Sequence, residues 1–310
     1  MKNHLSATIL ARLIAALLFV AVVAGTWDAW WHGAVGRETF WEPPHILLYS
    51  AIIGAIAGVV YGWKTYHEAP WRRVAVVLLV ILIAAPFDDL WHRLFGVESL
   101  NSPLIVWSPP HLALIGSLIA SFALLLPILK KDSNEHARRL LGAITFTSVL
   151  SLLLFVLVPI QPTGPFALLG FWGAGPAAFA MVAIYLLGQR WIDGFGATFL
   201  LALVVLALTA IEFGGTPAPD ILITPHGHPP AWLTAFSILL PAVFLDLSIK
   251  LPLAVRGTGA ALICCGLLYG FSSMFLPTEF QFGIRESITA IIAGTIGGLL
   301  AGMLIQKIHK

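Results

Sequence analysis

The chain has 310 residues, of which 59% are hydrophobic and only 10% charged, with a formal net charge of +2. Soluble domains carry about 25% charged residues. The composition therefore excludes a soluble globular enzyme, and no nucleic-acid partner is expected of so few basic groups.

Apolar runs separated by short polar loops predict an all-α, polytopic membrane bundle. Ten transmembrane helices are expected, at about 10–32, 44–63, 72–93, 110–129, 140–160, 174–189, 195–213, 230–248, 257–275 and 285–306. The first run follows Lys2 and Arg12 and reaches Ala24-Gly25, a pattern shared with signal peptides. Its apolar length of about 19 residues is enough to span, and predicts an uncleaved first helix. The whole of 1–310 reads as a single integral membrane domain. Cys264 and Cys265 are adjacent in an apolar run, and the chain has no other cysteine, so a disulfide framework is not expected.

Fourteen of the 17 Lys and Arg residues, among them Lys64, Arg72, Arg73, Lys130, Lys131, Arg138, Arg139 and Lys250, fall at one side of this arrangement. Only Arg37, Arg93 and Arg285 fall at the other. The positive-inside rule then places both termini in the cytoplasm of a plasma (inner) membrane. Ten spans pair into five hairpins.

The first two hairpins, 10–63 and 72–129, carry the same phrase. Asp28-Ala-Trp-Trp-His32 precedes Trp41-Glu42-Pro43-Pro44-His45, and Asp88-Asp89-Leu-Trp91-His92 precedes Trp107-Ser108-Pro109-Pro110-His111. This reads as an internal repeat with one chemical purpose. Asp28 and His32, like Asp88 and His92, are four apart and project from one helix face. Proline is tolerated in a helix's first turn, so each Pro-Pro-His opens the returning helix on a stiff start. The hairpin 195–248 is a divergent copy: Glu212 ends one span, and His226 and His228 precede the next.

Of ten histidines, His4, His67, His136 and His309 fall among the basic loops, where solvated loop residues are expected. The other six fall on the opposite, extracytoplasmic side. Ionisable groups at membrane depth are costly and point to function. Asp28, His32, His45, Asp88, His92 and His111 are thus the candidate metal ligands, with Glu212, His226 and His228 as possible additions. One carboxylate with two imidazoles suits copper(II), zinc, iron(II) or manganese. Asp89 and Glu42 read equally as partners orienting imidazoles or as loop residues. The tryptophans around the motif fit an interfacial belt, while Phe40, Phe95, Trp30 and Trp107 are also placed to wall a dry pocket.

Asp28-x3-His32-x12-His45 resembles the metal motif in the C subunit of the copper membrane monooxygenases, which oxidise methane, ammonia or short hydrocarbons. The resemblance covers roughly residues 20–120. That family carries a second acid-or-amide/His/His set, to which Asp88, His92 and His111 correspond with a longer x18 gap. It implies one or two copper ions near the outer leaflet, a copper-dependent oxidoreductase activity, further membrane subunits as partners, and a quinol or other electron donor. Two alternatives stay open. One is a transporter or metal-handling protein; the other is a structural membrane subunit without metal.

Overall fold

The structure, a computed structural model, describes residues 6–35, 41–95, 107–157, 170–193, 196–213, 231–275 and 283–308. Among these residues it is helical throughout, and the helices fall on the apolar runs. They are α1 (Ala7–Ala34), α2 (Pro43–Tyr66), α3 (Ala69–Phe95), α4 (Pro109–Leu129), α5 (Glu135–Leu157), α6 (Ala174–Ile192), α7 (Ala197–Phe213), α8 (Ala231–Leu247), α9 and α10 (Ile284–Ile308). Helix α9 starts at Leu253, passes through a π-helical stretch at Gly266–Phe271 and ends at Phe275. Among the described residues, seven helices are long and apolar enough to cross a membrane: α1 to α5, α9 and α10. The other three are shorter, at 19, 17 and 17 residues. The chain is a polytopic integral membrane protein in contact with the lipid bilayer.

The chain groups into two compact units. Most of the first 152 residues form one, and most of the remainder the other. In the first unit α1 packs on α2 and α3 on α4, with α2 against α3 and α1 against α4. The buried face of α1 alternates small and large residues: Ala11, Ile14, Ala15, Leu18, Ala21 and Ala24. Small residues let apolar helices approach closely where lipid supplies no hydrophobic drive. His67 ends α2 in the left-handed conformation (φ 54°), and its amide donates to the Trp63 carbonyl at 3.0 Å. Two residues later α3 begins, and fully buried Trp71 stacks on Tyr66 with centroids 5.8 Å apart. Gly62 lies under the Trp71 ring, where a Cβ would stand 2.6 Å from Cε3. Because the turn at His67–Glu68 reverses the chain, α1 and α3 end where α2 and α4 begin.

At the opposite end, the Arg12 guanidinium on α1 donates two bonds of 2.5 Å to Asp132, just past α4. The Asn134 amide adds a third at 2.9 Å. These bonds, Arg12's first, hold the Asp132 carboxyl below its usual range despite burial.

In the second unit α10 packs on α9 and α6, and α9 on α8. Its buried stripe is Ala290, Ala293, Gly294, Gly297, Gly298, Ala301 and Gly302. A Cβ on Gly297 would collide with the Gly175 carbonyl on α6, and one on Gly298 with the Gly257 carbonyl on α9. Backbone meets backbone along this seam. The Asp246 carboxylate is buried near the end of α8 and accepts from Gln189 Nε2 at 2.7 Å and Thr198 Oγ1 at 2.8 Å. It also accepts from the Phe199 amide at 3.0 Å, so it caps the first turn of α7. Buried Arg256 on α9 donates to Gln189 Oε1 and to the Leu245 carbonyl. This network joins four helices, and each buried charge in it has hydrogen-bonding partners.

Candidate metal centre

Each motif hairpin in the first unit brings an aspartate from the end of a rising helix against a histidine from the first turn of the returning one. The prolines do this locally. Pro43 and Pro44 occupy the start of α2, preceded by Glu42 in extended conformation (ψ 151°). Pro109 and Pro110 open α4 in the same way, preceded by Ser108 (ψ 146°). The histidine after each pair is therefore the third residue of its helix, still in the first turn and facing back across the hairpin.

In the second hairpin Asp88, His92 and His111 come together. Asp88 Oδ1 lies 3.3 Å from His92 Nε2 and 3.1 Å from His111 Nε2. The two imidazole centroids are 5.7 Å apart. One ligating atom from each residue falls within 4.8 Å of the other two. Donors around one ion at about 2.0–2.2 Å stand roughly 3–4 Å from each other. The three side chains thus fit a shared ion with small adjustment, leaving coordination positions for other molecules. Asp88 is buried, which makes its two imidazole partners all the more necessary.

In the first hairpin Asp28 Oδ1 lies 3.1 Å from His45 Nε2. The third group here is Glu42, whose ligating oxygen falls within 4.8 Å of those of Asp28 and His45. Its carboxylate makes no cap hydrogen bond to the helix it precedes, and both Glu42 and His45 are buried. Two carboxylates and an imidazole placed this close are a donor set that could hold a divalent cation. His32 lies one helical turn beyond Asp28 on α1, and its side chain lies outside the described residues. The side chain of Glu212, and His226 and His228 altogether, also lie outside them.

Sequence reasoning left Glu42 and Asp89 undecided between two roles, and the structure separates them. Glu42 stands with Asp28 and His45 in a group whose atoms could hold a metal ion. Asp89 turns away to an ion pair with Arg93 at 2.8 Å, one helical turn on and largely exposed. The signal for Glu42 lay in the variable position of Trp-x-Pro-Pro-His, a carboxylate in one copy and Ser108 in the other. Of the aromatics read either as a pocket wall or as an interfacial belt, Phe95 is 70% exposed and Trp107 40%. Phe40 and the Trp30 side chain lie outside the described residues.

No family model matches this chain, and no solved structure matches it. A stretch of 125 residues is 30% identical to the probable peptidoglycan glycosyltransferase FtsW of Thiomicrospira cyclica. That stretch is 39% of this chain and spans 30% of the length of the relative. The similarity is to part of that protein, and stops short of placing the chain in its family.

Proposed function

We propose that this membrane protein is a metalloprotein of the oxidoreductase class, resembling the copper membrane monooxygenases, with a centre at Asp88, His92 and His111. The observation that carries this reading is the convergence of one buried carboxylate and two imidazoles across the α3–α4 hairpin. That donor set suits copper(II), and equally accommodates zinc or iron(II). A bound redox ion would supply one-electron and oxygen chemistry. The chain's residues hold it at the membrane boundary, where an apolar substrate partitions. Asp88 orients both imidazoles and balances charge, and the Pro109-Pro110 start fixes His111. Asp28, His45 and, through the resemblance, His32 supply the corresponding set in the first hairpin. The bias of Lys and Arg supports cytoplasmic termini and an extracytoplasmic centre. Partner membrane subunits and a quinol donor belong to the same reading.

The test is metal analysis and spectroscopy of the purified protein beside His92→Ala and His111→Ala. Wild type should hold copper, with a copper(II) resonance showing nitrogen hyperfine structure that quinol bleaches, and both variants should lose it. Tight binding of zinc alone, with no response to quinol, would replace this reading with metal handling or transport. A protein that binds no metal would leave the structural-subunit reading.

A further inference from the structure

The turn between α8 and α9 opens onto a cavity of about 530 Å³, lined by Phe244, Leu247, Ser248, Ile249, Lys250 and Leu251. That volume falls within the roughly 300–1,000 Å³ of small-molecule sites. Four of the six lining residues are apolar, and three of these, Leu247, Ile249 and Leu251, are exposed. The polar groups are Ser248 and Lys250.

Lys250 is exposed and is the one charged residue of the stretch 247–252. Ser248 is only 8% exposed, yet its hydroxyl has no hydrogen-bonding partner. A buried hydroxyl left in that state is costly. Helix α9 starts directly after the turn, with Pro252 at its cap position and no side chain capping it. The first amides of a helix have no partner within it and carry the positive end of its dipole. Arg256, the fourth residue of α9, is buried as well, and its Nε has no partner although the guanidinium donates to Gln189 and Leu245. The carboxylate closest in sequence, Asp246, is already taken up by Gln189, Thr198 and Phe199. The turn therefore gathers donors and positive charge beside an exposed apolar surface.

We propose that the α8–α9 turn binds the phosphate of an anionic phospholipid. Lys250, the Ser248 hydroxyl and the first amides of α9 receive the headgroup, and Leu247, Ile249 and Leu251 lie along the acyl chains. Helix N-termini and basic side chains at a bilayer boundary both favour phosphate. A free phosphate ion would use the same donors. The exposed apolar residues around them commit the site to lipid, whose chains cover surface that a free ion would leave wet. The proposal is independent of the metal-centre reading.

The experiment titrates the full chain, stripped of lipid in detergent, with phosphatidylglycerol, phosphatidylcholine and inorganic phosphate, and reads binding by native mass spectrometry. Phosphatidylglycerol, which carries a net negative charge, should bind at least about tenfold more tightly than phosphatidylcholine, which carries none. Lys250→Ala should weaken it by about fivefold or more, and Lys250→Arg should keep it. Ser248→Ala should weaken it by about threefold or more. Lys250 is exposed and the Ser248 hydroxyl bonds to nothing in the protein, so both variants should melt as wild type does. Lys64→Ala removes an exposed lysine from the end of α2 and should leave binding unchanged, which separates this turn from a general attraction to basic groups. Wild-type affinity in Lys250→Ala, or equal binding of the two lipids, overturns the proposal. Binding of inorganic phosphate in preference to lipid overturns its lipid assignment.

Discussion

His111 Nε2 lies 3.1 Å from Asp88 Oδ1 across the α3–α4 hairpin, and the same oxygen lies 3.3 Å from His92 Nε2. A single carboxylate oxygen thus faces two imidazoles from two helices. Asp88→Asn should keep the shape of this corner while removing its charge. Metal affinity should fall by about tenfold or more, and thermal stability of the metal-free protein should fall by about 1–3 kcal/mol. Calorimetric titration with copper(II) and a detergent thermal melt measure the two effects. A variant with wild-type metal affinity would remove Asp88 from the ligand set.

The Arg12–Asp132 pair predicts a pH dependence of stability. The folded state lowers the Asp132 carboxyl below its usual value, chiefly through Arg12. Its contribution is fully present above the unfolded-state value of about 4, and is lost as pH falls through the lower folded value. Asp132→Asn should cost about 2 kcal/mol at neutral pH. The difference between variant and wild type should stay constant down to about pH 5 and close below about pH 4. Detergent unfolding curves across this range check it, and a difference that widens in acid would reverse the assignment.

Gly298 on α10 leaves room for the Gly257 carbonyl on α9, and Gly257 leaves room for the Gly298 carbonyl in return. Gly298→Val should force the helices apart and cost about 1–3 kcal/mol or more. Gly116 on α4 has open space around its Cβ direction. Gly116→Ala should be neutral or stabilising by up to about 1 kcal/mol. Melting temperatures of the two variants in one detergent make the comparison, and equal losses would mean that the α9–α10 seam does not bear the load.

The proposed topology has its own test. Cysteine placed at Gly36 or Gly96, between the halves of each motif, should react with an impermeant thiol reagent in intact cells, in a background lacking Cys264 and Cys265. Labelling only after the membrane is opened would move the centre to the cytoplasmic side.

The helices were legible because length and hydropathy are local properties. The run expected at 44–63 became Pro43–Tyr66, and that at 285–306 became Ile284–Ile308. A continuous apolar stretch can satisfy its backbone in a bilayer only as a helix, or as a strand of a closed barrel. Stretches of some 20 apolar residues indicate the helix. The repeated phrase exposed Asp28, His45, Asp88, His92 and His111 for a similar reason: i, i+4 spacing and Pro-Pro-His set direction within a turn or two. Glu42 was different. The residue before a proline pair is locally a helix cap, and only the approach of α1, which brings Asp28 to Glu42 and His45 at the start of α2, makes it part of a group that could hold a metal ion. The glycines of α10 likewise announce close packing, but their partners, Gly175 and Gly257, lie more than a hundred and about forty residues away. Sequence spacing along one helix shows which face is small. Which helix fills that face is decided by how the whole unit packs, because several small-faced helices compete for it and only one set of contacts buries them all.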